Sequence, residues 1–369
     1  MKSLLPFCGL LLLLLSGCSN AATSASPGKA AVVAPPAPAP DILAPKPLFR
    51  DPVFDGAADP TIIYSAADKK WYMFYTVRRA NVPGLNGVAW VHGSPIGIAT
   101  SPDGANWTYL GTANFTYKDA VPDATWWAPA VVYYKGLYHM FLTYVPGTFA
   151  DGWNHPRTII HLTSKDLRNW DYVSTLPLSH PKVIDAGVLH LPDGTWRLWY
   201  KDEASGSSCN YADSPDLYTW VDHGKVPGLS DRGGEAPNPF HWQGHYWLLR
   251  DITSRPNGLA LYRSDDALTW SRVGTLLQTP GTGKDDMAVG HHPEVILSDD
   301  RAFLFYFTHP DSVRGNDNSA VANNARRSSI QVVELKYDAQ NNTLTCDRDA
   351  PTYLNLQPPA NLESNSKFN

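Results

Sequence analysis

Three acidic residues stand just before apolar runs of the chain: Asp59 before "PTIIY", Asp185 before "AGVLHL" and Glu235 before "APNPFHW". Two histidines, His291 and His292, precede "PEVIL", and two tryptophans, Trp126 and Trp127, precede "APAVVYY". If a fold gathers these starts, three carboxyl groups share one cup. Like charges and partial burial then push their pKa values apart. One acid stays protonated near neutral pH while another stays ionised. That is what cleavage of a glycosidic bond requires: an acid to protonate the leaving oxygen and a base to activate water. Tryptophan rings beside the acids offer flat apolar faces for sugar rings.

The elements that must bring these residues together show as a repeat. Helical periodicity is almost absent. Short runs of Tyr, Trp, Phe, Val and Ile alternate with Gly, Pro, Asn and Asp, which indicates an all-β protein. "SPDGANW", "SKDLRNW", "SPDLYTW" and "SDDALTW" end at Trp107, Trp170, Trp220 and Trp270. Each has Ser, Asp two later and Trp four after that. A pair of aromatic-rich strands precedes each, and a short strand lies on either side. A fifth unit, "PEVIL", "RAFLFYF" and "IQVVELKYD", lacks the turn. Five units of four strands, spaced by about 50 residues, predict a five-bladed β-propeller with four-stranded antiparallel blades. The recurring Asp is expected to bind backbone amides in a tight turn, and the Trp to fill the space between blades. First strands line the channel and run the same way, so Asp59, Asp185, Glu235, the histidines and the tryptophans converge on one mouth.

The ordered motifs, "DP" in unit one, "ID" in unit three and "EAP" in unit four, resemble glycoside hydrolase family 43 and its relatives over residues 50 to 340. The resemblance implies an inverting glycosidase acting on arabinofuranosyl, xylosyl or galactosyl linkages of plant or algal polysaccharides. By matching motif, Asp59 would be the general base, Glu235 the general acid, and Asp185 the residue that tunes and orients the acid. It also implies that His291 or His292 helps hold a central calcium ion, with no cofactor needed for the chemistry. The chain departs from the pattern at Ala130, where "WAPD" reads "WAPA", and in "EAP" for the commoner "EGP". Two other readings stay open: an enzyme like the neoagaro-oligosaccharide hydrolases with a histidine acid, and a non-catalytic sugar-binding lipoprotein.

Further residues could meet substrate. Trp90 and His92 lie in the insert "NVPGLNGVAWVHGSPIG", which would overhang the mouth; they shape a subsite or pack the loop. Lys201 and Arg250 end second strands and could touch sugar or steady a carboxylate. Asp123, Asp202, Glu203 and Asp251 are competing acids.

The N-terminus reads as a targeting segment. Lys2, the run "LLLLLSG" and Cys18 resemble a bacterial lipobox, in which Cys18 is lipidated. Residues 1–18 are then a lipoprotein signal, 19–46 an Ala/Pro-rich tether, 47–356 the propeller and 357–369 a tail. The expected protein is a monomer, lipid-anchored at the bacterial cell envelope on the periplasmic face or outer membrane. Cys209 and Cys346 could pair or stay separate thiols. With a net charge of −5 and no basic run beyond Arg326-Arg327, the chain offers nothing to nucleic acid.

Overall fold

The computed structural model describes residues 40–204, 206–229, 233–252, 257–311, 325–364 and 367. Cys18, the signal segment and most of the tether lie outside them. The body from Pro40 onward is all-β, with two short 3-10 turns, Ala89–Val91 and Leu362–Ser364, among the described residues.

Five antiparallel sheets follow one another in sequence. Blade one is Ala57–Ser65, Lys70–Val77, Ile96–Ser101 and Thr108–Thr112; blade two is Thr125–Tyr134, Leu137–Val145, Thr158–Ser164 and Asn169–Thr175. Blade three is Val183–His190, Trp196–Asp202, Ser208–Ser214 and Val221–Lys225; blade four is Gly234–Trp242, His245–Ile252, Gly258–Ser264 and Ser271–Leu276. Blade five is His291–Ser298, Arg301–Thr308, Ser329–Asp338 and Thr343–Cys346. Each first strand packs on the next, and that of blade five packs back on blade one, which closes the propeller. Blade two carries one extra strand, Asn114–Phe115, paired in parallel with Asn169 and Trp170.

The repeated turn holds the blades as its chemistry predicts. Asp103 accepts the amides of Ala105 and Asn106 at 2.8 Å, and Asp266 those of Leu268 and Thr269 at 2.8 and 2.7 Å. The tryptophan after three of the four turns reaches the preceding blade. Trp170 meets Phe74 at 5.6 Å between ring centroids, Trp220 meets Phe141 at 5.4 Å, and Trp270 meets Trp199 at 6.1 Å. Blade five lacks this turn, and the chain ends tie it to blade one instead. Ile42–Leu43 pairs with Tyr353–Leu354, Phe49 bridges to Ile330, and Trp71 Nε1 donates to the Leu356 carbonyl. The end of the expected tether is part of the fold: Ala44 is buried in the core shared by blades one and five. Cys209 and Cys346 are both free thiols in different blades.

Candidate active site

The five inner strands share a local distortion. Register shifts fall between Ala58 and Thr61, Trp127 and Ala130, Ile184 and Gly187, Glu235 and Asn238, and His291 and Glu294. At each bulge one non-glycine residue takes a positive φ: Asp59 at 52°, Ala128 at 45°, Asp185 at 58°, Ala236 at 51° and His292 at 45°. Such backbone costs energy on the order of 1 kcal/mol per residue and re-aims side chains. Here it turns Asp59 and Asp185 into the mouth. Glu235 stands one residue before its left-handed neighbour Ala236, in the position that Trp127 and His291 hold in blades two and five.

Asp59 is buried and held from two sides. Arg78 Nη2 donates to its oxygens at 3.1 and 3.4 Å, and His292 Nδ1 lies 3.3 Å from Oδ1. Arg78 is itself braced. Its Nη1 donates to His309 Nε2 at 3.0 Å, while His309 Nδ1 donates to the Arg327 carbonyl at 3.0 Å. Burial and the charge on Arg78 keep His309 neutral, its pKa well below the usual histidine value, so Nε2 stays an acceptor.

Across the mouth, Lys201 Nζ donates to Glu235 Oε2 at 2.8 Å and sits 3.1 Å from Glu203 Oε1. Glu203 is also paired with the buried Arg157 at 2.5 Å. Asp185 Oδ2 accepts the Ala236 amide at 3.1 Å, and the Asp185 amide donates to Thr143 Oγ1 at 3.1 Å. Burial pushes the Asp185 carboxyl well above its ordinary 3.8, and the charges of Glu235 and Asp59 push it further. Burial also raises Glu235, but Lys201 outweighs it and holds that carboxyl down at about 2. The two neighbouring carboxyls are thus pushed in opposite directions, the separation that acid–base chemistry uses.

The structure sorts the remaining candidates. Trp126 and Trp127 face opposite ways, as neighbours on a strand must. Trp126 packs on Phe115 and Tyr144, while Trp127 lies among His92, Trp153 and Arg157. Trp90 and His92 are buried rather than open to the funnel, because the insert folds on blade two as its own apolar cluster. Trp90 backs Arg78 and Arg326, each about 6 Å from its ring. Arg250 is also buried and donates to the Gly234 carbonyl at 2.8 Å, so it holds the backbone beside Glu235. Asp202 is fully buried against His180 and Asn210. His291 Nδ1 lies 3.0 Å from Asp251, which also accepts the His292 amide at 3.3 Å.

The expected calcium site does not fit these residues. Both histidines are engaged by carboxylates at the mouth. Among the described residues no group of three or more His, Cys, Asp or Glu stands ready for a metal.

Arg78, Arg157, His309 and Trp153 were not singled out by sequence. Arg78 follows the second strand of blade one, and His309 that of blade five, as Lys201 and Arg250 end theirs. Applied to all five blades, that rule finds both. Trp153 is 42% exposed, with its ring centroid 6.3 Å from that of Trp127. It is an open aromatic face at the side of the mouth.

No family model matches the chain. The β-fructofuranosidases, insoluble isoenzyme 2, of Oryza sativa subsp. indica and subsp. japonica are each 28% identical over 184 residues, 42% of this chain and 29% of theirs. The chain thus spans less than a third of the length of the curated relatives it matches. Among solved structures, a thermostable family-43 glycoside hydrolase is 18% identical, with 84% of this chain and 100% of that one covered and a TM-score of 0.58. A family-43 enzyme of Xanthomonas citri, complexed with xylose, is 16% identical, with 78% and 89% covered and a TM-score of 0.56. A family-43 β-1,3-galactosidase is 15% identical, with 84% and 100% covered and a TM-score of 0.58. The chain shares the five-bladed propeller fold of the family-43 glycoside hydrolases.

Proposed function

We propose that this protein is an inverting glycosidase acting on arabinofuranosyl, xylosyl or galactosyl linkages. Asp59 is the general base, Glu235 the general acid, and Asp185 the acid that supplies and tunes the proton. The observation that carries this reading is the opposed electrostatics of Asp185 and Glu235, facing an Asp59 held by Arg78 and His292. Asp59 removes a proton from a water as its oxygen bonds the anomeric carbon. The bond from that carbon to the leaving oxygen breaks, and Glu235 gives the leaving oxygen its proton. At rest the proton resides on Asp185. Substrate at the mouth draws Lys201 toward Glu203, already 3.1 Å away, and Glu235 then takes up the proton. Trp153 and Trp127 form the side of the sugar subsite.

The test is a screen of defined plant and algal oligosaccharides with product analysis. The reading expects a released sugar from at least one pentosyl or galactosyl linkage, lost in Asp59→Ala and Glu235→Ala. Tight glycan binding without any product overturns it in favour of a binding protein. Fructofuranosyl linkages form a second reading, favoured by the stretch shared with the β-fructofuranosidases; sucrose and inulin oligosaccharides in the same screen decide between them. The proposal extends to the cell envelope, where Cys18 carries a lipid. Cys18→Ser is expected to move the protein from the membrane to the soluble fraction.

A further inference from the structure

Two residues beyond each left-handed position, the inner strands point Thr61, Ala130, Gly187, Asn238 and Glu294 into the central channel. Four of these are uncharged, and Gly187 is small by necessity. At Gly187 a Cβ would stand 1.8 Å from the Pro237 carbonyl oxygen, so no side chain fits. The only charge that the strands contribute to this ring is Glu294, and it is buried. Its Oε1 accepts the Ile62 amide at 3.1 Å and the Thr61 hydroxyl at 3.3 Å; its Oε2 accepts Asn238 Nδ2 at 2.6 Å. A buried carboxylate needs a positive partner as well as these donors. The partner is Lys367. Its Nζ lies 2.5 Å from Glu294 Oε2 and 3.5 Å from Asn238 Oδ1.

Lys367 enters from the mouth opposite the catalytic acids. Its carbonyl accepts the amide of His241, near the far end of the blade-four inner strand, at 2.7 Å. The turn Leu362–Ser364 packs on the inner strands of blades two and three, and Glu363 accepts the Lys135 amide at 3.1 Å. The ring suits an ammonium better than calcium. Calcium takes six to eight oxygens, often several carboxylates, whereas this ring offers one carboxylate, one amide and one hydroxyl.

We propose that Lys367 is the resident cation of the propeller channel, and that the ring of Glu294, Asn238 and Thr61 is a site for a primary ammonium group. Lys367 thereby supplies the ring with a covalently tethered positive charge. This inference concerns stability, and it stands or falls apart from the glycosidase reading.

Thermal melting of the full chain tests it. The parent protein is expected to melt at one temperature in chelator and in millimolar calcium. Lys367→Met, which keeps the volume and removes the charge, lowers that temperature by roughly 5–10 °C. The double variant Glu294→Gln with Lys367→Met recovers most of the loss. Lys367→Ala is partly restored by ethylammonium and not by tetramethylammonium. If Lys367→Met fails to fold, recovery of folding in the double variant supports the proposal, and its absence overturns it. A parent protein stabilised by calcium and destabilised by chelator, or a Lys367→Met protein that melts like the parent, also overturns it.

Discussion

Lys201 bridges two glutamates, its Nζ 2.8 Å from Glu235 Oε2 and 3.1 Å from Glu203 Oε1. In the proposed mechanism the pair Asp185–Glu235 keeps its proton on Asp185, because this ammonium stabilises the ionised Glu235. In Lys201→Met that stabilisation is gone, and burial with like charges makes the two carboxyls hold their shared proton to higher pH. The alkaline limb of kcat/KM is expected to move up in pH. An unmoved limb would show that the proton used in catalysis does not sit on this pair.

Removing either reacting group lowers the rate, but with different dependence on the leaving group. Asp59→Ala is expected to lose about 10²–10⁴-fold on all substrates. Glu235→Ala loses a similar factor on natural linkages and much less on aryl glycosides whose phenols leave unaided. Steady-state kinetics on both substrate types check the assignment. Equal losses on both substrates in Glu235→Ala would remove its role as acid.

Asp185 works against stability. Its carboxyl is raised above 3.8 by burial and by Glu235 and Asp59, so the unfolded chain gains by ionising it where the folded chain does not. That cost is absent below about pH 4 and grows as pH rises toward the folded value. Asp185→Asn is therefore expected to melt higher than the parent at pH 7, to match it near pH 3.5, and to be impaired in turnover. Glu235 has the opposite sign. Its folded value of about 2 lies below the ordinary 4.5, so its contribution is full above 4.5 and is lost as pH falls toward 2. Melting curves across this range separate the two.

The interblade tryptophans carry much of the fold. Trp170 is fully buried against Phe74 of the neighbouring blade. Trp170→Ala is expected to cost about 3–5 kcal/mol. Denaturant unfolding measures it, and a loss below about 1 kcal/mol would contradict the packing argument.

The fold was legible because it repeats. Four copies of Ser-x-Asp-x-x-x-Trp report one turn, three of them one interblade contact, and five aromatic strand pairs report the blades. The acids were legible because each begins an inner strand. What lay hidden depends on the third dimension. Strand alternation separates Trp126 from Trp127, but which of the two faces the mouth depends on the bulge at Ala128, which no composition marks. His292 was read toward a metal, yet its left-handed backbone turns it onto Asp59. Trp90 and His92 sit in an insert that sequence left free to shape a subsite or to pack the loop, and its apolar residues bury them. Lys367 sits in a polar tail whose local sequence carries no pattern, and only the lone Glu294 in the channel explains it.

The most direct test of the central claim is proton NMR of the first sugar anomer released from a cleaved oligosaccharide, before mutarotation. Asp59 acting as base on water, with Glu235 as acid, gives the inverted anomer. A retained anomer would mean that one of these carboxylates attacks the sugar itself, and the account given for Asp59, Asp185 and Glu235 would be wrong.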